Sequence, residues 1–221
     1  MPEGGKLLDA ANHPKQDLGS RRLVLRHTLY IEADDFRETD DPKYYGLAPG
    51  KEVGLLGAGV NITCTGVEKD ASGAVVGLTA SVDLARANKP KGHLHWVDAS
   101  EAVPAEVRMY SVLFTPEDVE GTAKTAGAGA GAEAEEEEEG EEEAAAEAAE
   151  PAWLKLLNPD SLVVERALME PALRAACGPA SGHSRPTFQF QRTGYFCVDD
   201  SSSVERPVFN RVVALKEDKT K

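Results

Sequence analysis

Apolar residues at every second position, in short runs separated by turn residues, are the feature that most limits what this chain can become. Leu23, Leu25, His27, Leu29 and Ile31 share one face of such a run. Val53, Leu55 and Leu56 restart a run after the turn signal Pro49-Gly50, and Asn61 to Val67 carries another. Lys69-Asp70-Ala71-Ser72-Gly73 reads as a hairpin loop, with Ala74 to Leu84 as the return strand. HLHWV (His93 to Val97) and Ala105 to Phe114 alternate again. Period two places successive side chains on opposite faces of a sheet, so helices are expected to be few. Strands at short intervals predict an all-β chain with few short helices, its first part a closed or nearly closed antiparallel barrel.

One stretch breaks the pattern. Between Thr122 and Glu150 the chain holds eleven Glu and one Lys among Ala, Gly and Thr, a net of −10. Subtracting this from the total of −14 leaves −4 for the other 192 residues. The rest of the chain is therefore near charge balance, and its acidity does not exclude an anionic partner. Such a segment cannot bury enough apolar surface to offset chain entropy and is expected to be disordered. The expected organisation is an opening segment over 1–20, a first β unit over 21–120, the acidic insert over 121–150 and a second, smaller β-rich unit over 151–221. In the second part, Trp153 to Leu157 predicts a helical turn and Leu162 to Leu168 a strand. Glu170-Pro171 predicts a short helix start, and Pro207 to Leu215 a last strand.

The residues exclude several functions. There is no apolar run of about 18 residues to cross a membrane. The start MPEGGKLLDAANHPK lacks the basic and apolar parts of a secretory signal. Cys64, Cys177 and Cys197 are odd in number and widely spaced, which fits reduced thiols and predicts a cytoplasmic protein without a metal framework. No P-loop, HExxH or GxSxG motif supplies a catalytic centre, so no catalytic residue is expected on this chain. His93 and His95 fall on one strand face and could share a metal, but no third ligand follows at metal spacing, so no metal site is expected.

Two places carry chemistry suited to RNA. Arg86, Lys89 and Lys91 put three cations within six residues just before HLHWV, a loop able to hold phosphates. TFQFQRTGYFCVD (Thr187 to Asp199) combines Gln189, Arg192 and the flat faces of Tyr195 and Phe196. Amide and guanidinium groups bond base edges in pairs, and aromatic rings stack on unpaired bases. Read as a regular strand, this stretch puts Phe188, Phe190, Arg192 and Gly194 on one face and Gln189, Gln191, Thr193 and Tyr195 on the other. If Gln189 and Arg192 serve one pocket, a bulge or turn near Thr193-Gly194 must re-aim Arg192.

Nine motifs in order carry a resemblance. They are NHP (Asn12 to Pro14), GSR (Gly19 to Arg21), LYIEADDFRE (Leu29 to Glu38), PGKEVGL (Pro49 to Leu55), KPKGHLHWV (Lys89 to Val97), EVRMYSVLF (Glu106 to Phe114), LNPDSLVV (Leu157 to Val164), FQFQRTGYFCVD (Phe188 to Asp199) and PVFNRVVALKED (Pro207 to Asp218). The series resembles the C-terminal anticodon-binding region of the glutaminyl-tRNA synthetases, a family of class I aminoacyl-tRNA synthetases. The resemblance implies two β-barrels that read an anticodon. It implies Arg21 and Gln189 around the middle base, a uracil, with Arg192 closing that pocket or holding a phosphate. It implies Lys89, Lys91 and Arg86 on the outer anticodon bases, the pocket lying where the two barrels meet. The loop is shorter than in bacterial members, and Lys in place of Arg favours phosphate contact over base reading. The family's HIGH-like and KMSKS-like motifs do not occur in these residues, so a part without the catalytic domain is expected. The resemblance also implies tRNA-Gln and the family's own catalytic domain as partners, no membrane, and a monomer. It implies no cofactor on this chain, ATP and Mg2+ belonging to the catalytic domain. Two alternatives stay open: the equivalent region of a glutamyl-tRNA synthetase, and a protein-interaction module acting through the acidic insert.

Overall fold

The computed structural model describes residues 4–13, 15–122, 151–178 and 185–215. The chain divides into two units, Met1–Val107 with Arg166–Lys221, and Arg108–Glu165. The acidic segment expected to be disordered lies outside the described residues, apart from its first two positions.

The first unit opens with β1 (Lys6–Ala11), although the sequence shows no clear period before Ser20. β1 pairs antiparallel with β2 (Ser20–Leu25), setting Ala10 opposite Arg21. The run expected from Leu23 to Ile31 is interrupted after Leu25. The Arg26 guanidinium leaves the strand to bond Asp98, Ser100 and Glu101. β3 (Leu29–Tyr30) resumes and pairs with β8 (Val97–Asp98). A 3-10 turn at Ala33–Asp35 follows.

β4 (Glu52–Leu55), β5 (Asn61–Lys69), β6 (Val75–Asp83) and β7 (His93–Leu94) form one sheet in the order β6-β5-β4-β7. The β5–β6 hairpin forms where its loop chemistry predicts. The Asp70 carboxylate accepts N–H groups from Ser72 and Ala74, and Gly73 takes the positive φ of 86° that a side chain would resist. Leu25, Leu47, Val53, Leu55, Val60, Leu94 and Trp96 close over each other as the core of this part. The Trp96 indole N–H, buried with its ring, donates to the carbonyl of Leu56 at 2.9 Å.

The remaining strands are β9 (Val103–Tyr110), β10 (Leu162–Met169), β11 (Thr187–Phe190), β12 (Gly194–Val198) and β13 (Val208–Ala214), in the sheet order β10-β9-β13-β12-β11. Phe190 stacks on Phe196 with centroids 4.3 Å apart and meets Phe209 edge-on at 5.2 Å. Phe196 and Phe209 are fully buried, so the alternation of TFQFQRTGYFCVD supplies a core. A 3-10 helix over Pro171–Cys177 begins with proline at its first turn, as expected.

In the second unit a 3-10 helix spans Ala152–Leu156, and Trp153 meets Phe114 edge-on at 6.3 Å. Asn158 N–H donates to Leu113 and Ser111 N–H to Ser161, tying the two ends of this unit together.

The all-β class with few helices holds, but the barrels do not. The described strands form four open sheets of two, five, two and four strands. Closing the four-stranded sheet would require its edges β6 and β7 to pair. β7 is only two residues long and joins β4 in parallel, not antiparallel. No helix among the described residues is long and apolar enough to cross a membrane.

Candidate nucleic-acid interface

Arg192 does not lie on a strand. Gln191, Arg192 and Thr193 form the three-residue loop between β11 and β12, with Phe190 paired to Gly194 and Thr193 N–H bonded to the Phe190 carbonyl. Arg192 takes φ +66° at the third position of that turn, where glycine or asparagine is usual. The expected turn is therefore present, centred two residues earlier than Gly194. An arginine in this conformation costs roughly 1–2 kcal/mol relative to ordinary backbone.

The guanidinium of Arg192 pairs with Asp35, its Nη1 donating to Oδ2 at 2.7 Å and its Nη2 lying 2.6 Å from Oδ1 as an ion pair. Nη1 also donates to the His93 carbonyl at 3.3 Å. Asp35 is 4% exposed, whereas the Arg192 side chain is 44% exposed. A buried carboxylate thus holds a cation that stands half in solvent.

Arg21 is held in the same manner. Nε and Nη2 donate to the two oxygens of Glu170 at 2.5 and 3.1 Å, and Nη1 donates to the Ala11 carbonyl at 2.9 Å. Glu170 is buried next to Met169, just before the proline that opens the 3-10 helix. His95 Nε2 lies 3.7 Å from Glu170, beyond ordinary hydrogen-bond length, and its Nδ1 lies 3.9 Å from Glu32. Burial pushes the Glu170 carboxyl up. The neighbouring donors and charges of His95 and Arg21 outweigh that and hold it at about 2.

One short stretch joins the two arginines. His93 meets Arg192 through its carbonyl and His95 meets the carboxylate that grips Arg21, so the attachment points are two residues, about 7 Å, apart along the chain. The ring of His93 packs over Gly54 while its carbonyl meets Arg192. Gly54 permits this: a Cβ there would sit 2.6 Å from the His93 ring. Asp35 and Glu170 are the residues that sequence reasoning missed at this site, whereas His93 and His95 stand out in the sequence only as a candidate metal pair.

The other sequence-expected residues sit differently. Gln189 is exposed on β11 opposite Tyr195, and no hydrogen bond among the described residues joins it to Arg21 or Arg192. Arg86, Lys89 and Lys91 are all exposed, with no ion pair among the described residues. Their loop is nonetheless fixed at its base. Asp83 accepts the N–H groups of Ala85 and Ala87, placing Arg86 at φ +51°. Asn61, fully buried, donates to the Asn88 carbonyl and to Glu52, and Asn88 donates to Glu52 in turn. Gly92 then packs on the backbone of Tyr45, where a Cβ would fall 1.8 Å from the carbonyl oxygen. Gly92→Ala is expected to destabilise the chain at the upper end of the roughly 1–3 kcal/mol typical of overpacking, read by urea denaturation.

A β scaffold carrying carboxylate-anchored arginines beside a bare cationic loop is suited to a flexible polyanion with readable edges. A family described as tRNA synthetases class I (E and Q), anti-codon binding domain, matches residues 93–199, and a second of the same description matches residues 3–83. The two matches together take in most of the chain, and it belongs to this family of class I anticodon-binding domains. Among curated proteins it is similar to the glutamine–tRNA ligase of Pseudoalteromonas atlantica, 37% identical over 97% of this chain and 34% of that protein. It is 38% identical to the Aliivibrio fischeri glutamine–tRNA ligase over 97% of this chain and 35% of that protein. The Escherichia coli O157:H7 glutamine–tRNA ligase is 35% identical over 96% of this chain and 34% of its own length. The chain spans about a third of the length of these relatives.

Proposed function

We propose that this chain is the anticodon-reading part of a glutamine–tRNA ligase, with tRNA-Gln as its partner. The observation that carries the reading is the pair of arginines fixed at the two ends of His93–His95, with the exposed amide of Gln189 on the hairpin that bears Arg192. The Watson–Crick edge of uracil presents an acceptor, a donor and an acceptor in a row. A glutamine amide can accept from the central N–H while donating to one oxygen, and a guanidinium can donate to the other. Lys89, Lys91 and Arg86, exposed and without ion pairs among the described residues, supply phosphate contacts on either side of the read base. Attachment of glutamine, with its ATP and Mg2+, belongs in this reading to parts of such an enzyme outside these residues. The names of the relatives favour the glutaminyl over the glutamyl enzyme.

The test is a titration of the full chain with short anticodon stem-loops at low and high salt. Gln189→Ala is expected to weaken a uracil-centred loop selectively, about 5- to 100-fold, following the 1–3 kcal/mol of a good base-edge pair. Lys91→Ala is expected to weaken every loop alike and to lower the salt slope by about one. Variants that bind as the parent does at both salts would remove the site from consideration.

A further inference from the structure

We propose that Asp35 is a positioning residue for base reading: it fixes the plane of Arg192 so that one remaining edge of the guanidinium faces the uracil. The inference rests on the anticodon reading above. An arginine has five N–H donors. Both N–H donors of Nη1 on Arg192 are taken, one by Asp35 and one by the His93 carbonyl, and Nη2 lies against the second Asp35 oxygen as an ion pair. Nε–H and the Nη2–H on the same side remain free, along a single edge of the planar group.

Asp35 can act as a fixed support because its own backbone is tied on both sides. Its N–H bonds the Glu32 carbonyl at 3.0 Å, and its carbonyl accepts from Leu47 at 2.7 Å. The positive φ of Arg192 brings the side chain to this carboxylate instead of leaving it on a strand face. An arginine at a backbone position better suited to glycine points to a demand on the side chain.

RNA could in principle take Arg192 away from Asp35, but the carboxylate would then be left buried without its cation. Breaking a buried pair by removing one partner is more unfavourable than one base-edge contact is favourable. The pair therefore persists in the complex, and reading uses only the free edge. That edge donates to a uracil oxygen. Cytosine places an amino donor where uracil has O4, so the same edge finds no acceptor there.

The experiment measures the binding of fluorescein-labelled anticodon stem-loops carrying uracil or cytosine at the middle position. The proteins are the full chain and its Asp35→Asn, Asp35→Glu, Arg192→Lys and Asp35→Asn/Arg192→Lys variants, with thermal unfolding followed in parallel. The parent is expected to prefer uracil by at least about tenfold. Asp35→Asn lowers that ratio to within about twofold with the fold retained. Asp35→Glu, which keeps the charge but displaces the guanidinium, lowers it as well. The double variant loses no more than Arg192→Lys alone, because both changes act on one group. A ratio unchanged in Asp35→Asn and Asp35→Glu overturns the inference, as does equal weakening of both loops or additive loss in the double variant. A parent that does not distinguish the two loops overturns the anticodon reading itself, a result separable from the others.

Discussion

Glu170→Gln is expected to remove about 2 kcal/mol of the acid sensitivity of this chain between pH 6 and pH 3. The Glu170 carboxyl sits at about 2 in the folded chain against an ordinary 4.5. Because the folded value is depressed, the unfolded chain binds the proton more readily. The stabilisation is complete above pH 4.5 and is lost as pH falls through about 2. The gap corresponds to about 3 kcal/mol at neutral pH, with about 2 kcal/mol of it gone by pH 3. The groups that face this carboxylate are Arg21 from β2 and His95 beyond β7, with Glu32 behind the imidazole. Removing the carboxylate charge should thus lower stability at pH 7 and leave the variant close to the parent near pH 2. Urea denaturation at a series of pH values reads this directly as the difference between the two proteins, in which other titrating carboxylates cancel. Parallel curves for parent and variant would show that Arg21 and His95 do not hold the Glu170 charge.

What could be read from the sequence follows the range of the interactions. The β5–β6 hairpin is visible because Asp70 and Gly73 act within four residues of each other. That Phe188 and Phe190 share a face is visible because alternation is local, whereas Phe196, expected to stack on a base, is fully buried against Phe190. Closure of a sheet is a different matter. It depends on which edges meet, and nothing in the periodicity of β4 reveals that its neighbour β7 runs parallel to it. The turn at Arg192 is masked by its residue type, since arginine carries no signal for positive φ. Asp35 and Glu170 look like ordinary acidic residues beside a turn and a proline. Their partners lie 157 and 149 positions away, so their role exists only in three dimensions. His93 and His95 share a face by spacing, but that spacing carries no sign that the His93 carbonyl meets Arg192 or that His95 nears Glu170.

Arg192→Ala is expected to destabilise the chain far more than Asp35→Asn, although both break the same ion pair. The asymmetry comes from burial. Without Arg192, a carboxylate that is 4% exposed has lost its cation, a situation that typically costs about 3–5 kcal/mol. Without the Asp35 charge, an arginine that is 44% exposed can turn its donors to water, and asparagine still offers one acceptor, so about 1–2 kcal/mol is expected. The backbone adds a second distinction. Alanine retains the strain of φ +66° and glycine does not, so Arg192→Gly should be about 1 kcal/mol less damaging than Arg192→Ala. Replacing both partners, as in Asp35→Leu/Arg192→Ala, removes the stranded charge and should recover much of the loss. Urea denaturation with constant m-values measures all four variants on one scale. Equal losses for Arg192→Ala and Asp35→Asn would mean that Asp35 is hydrated when its partner leaves. The carboxylate would then be free to release Arg192 to a ligand, and a fixed guanidinium plane could no longer explain how the hairpin reads a base.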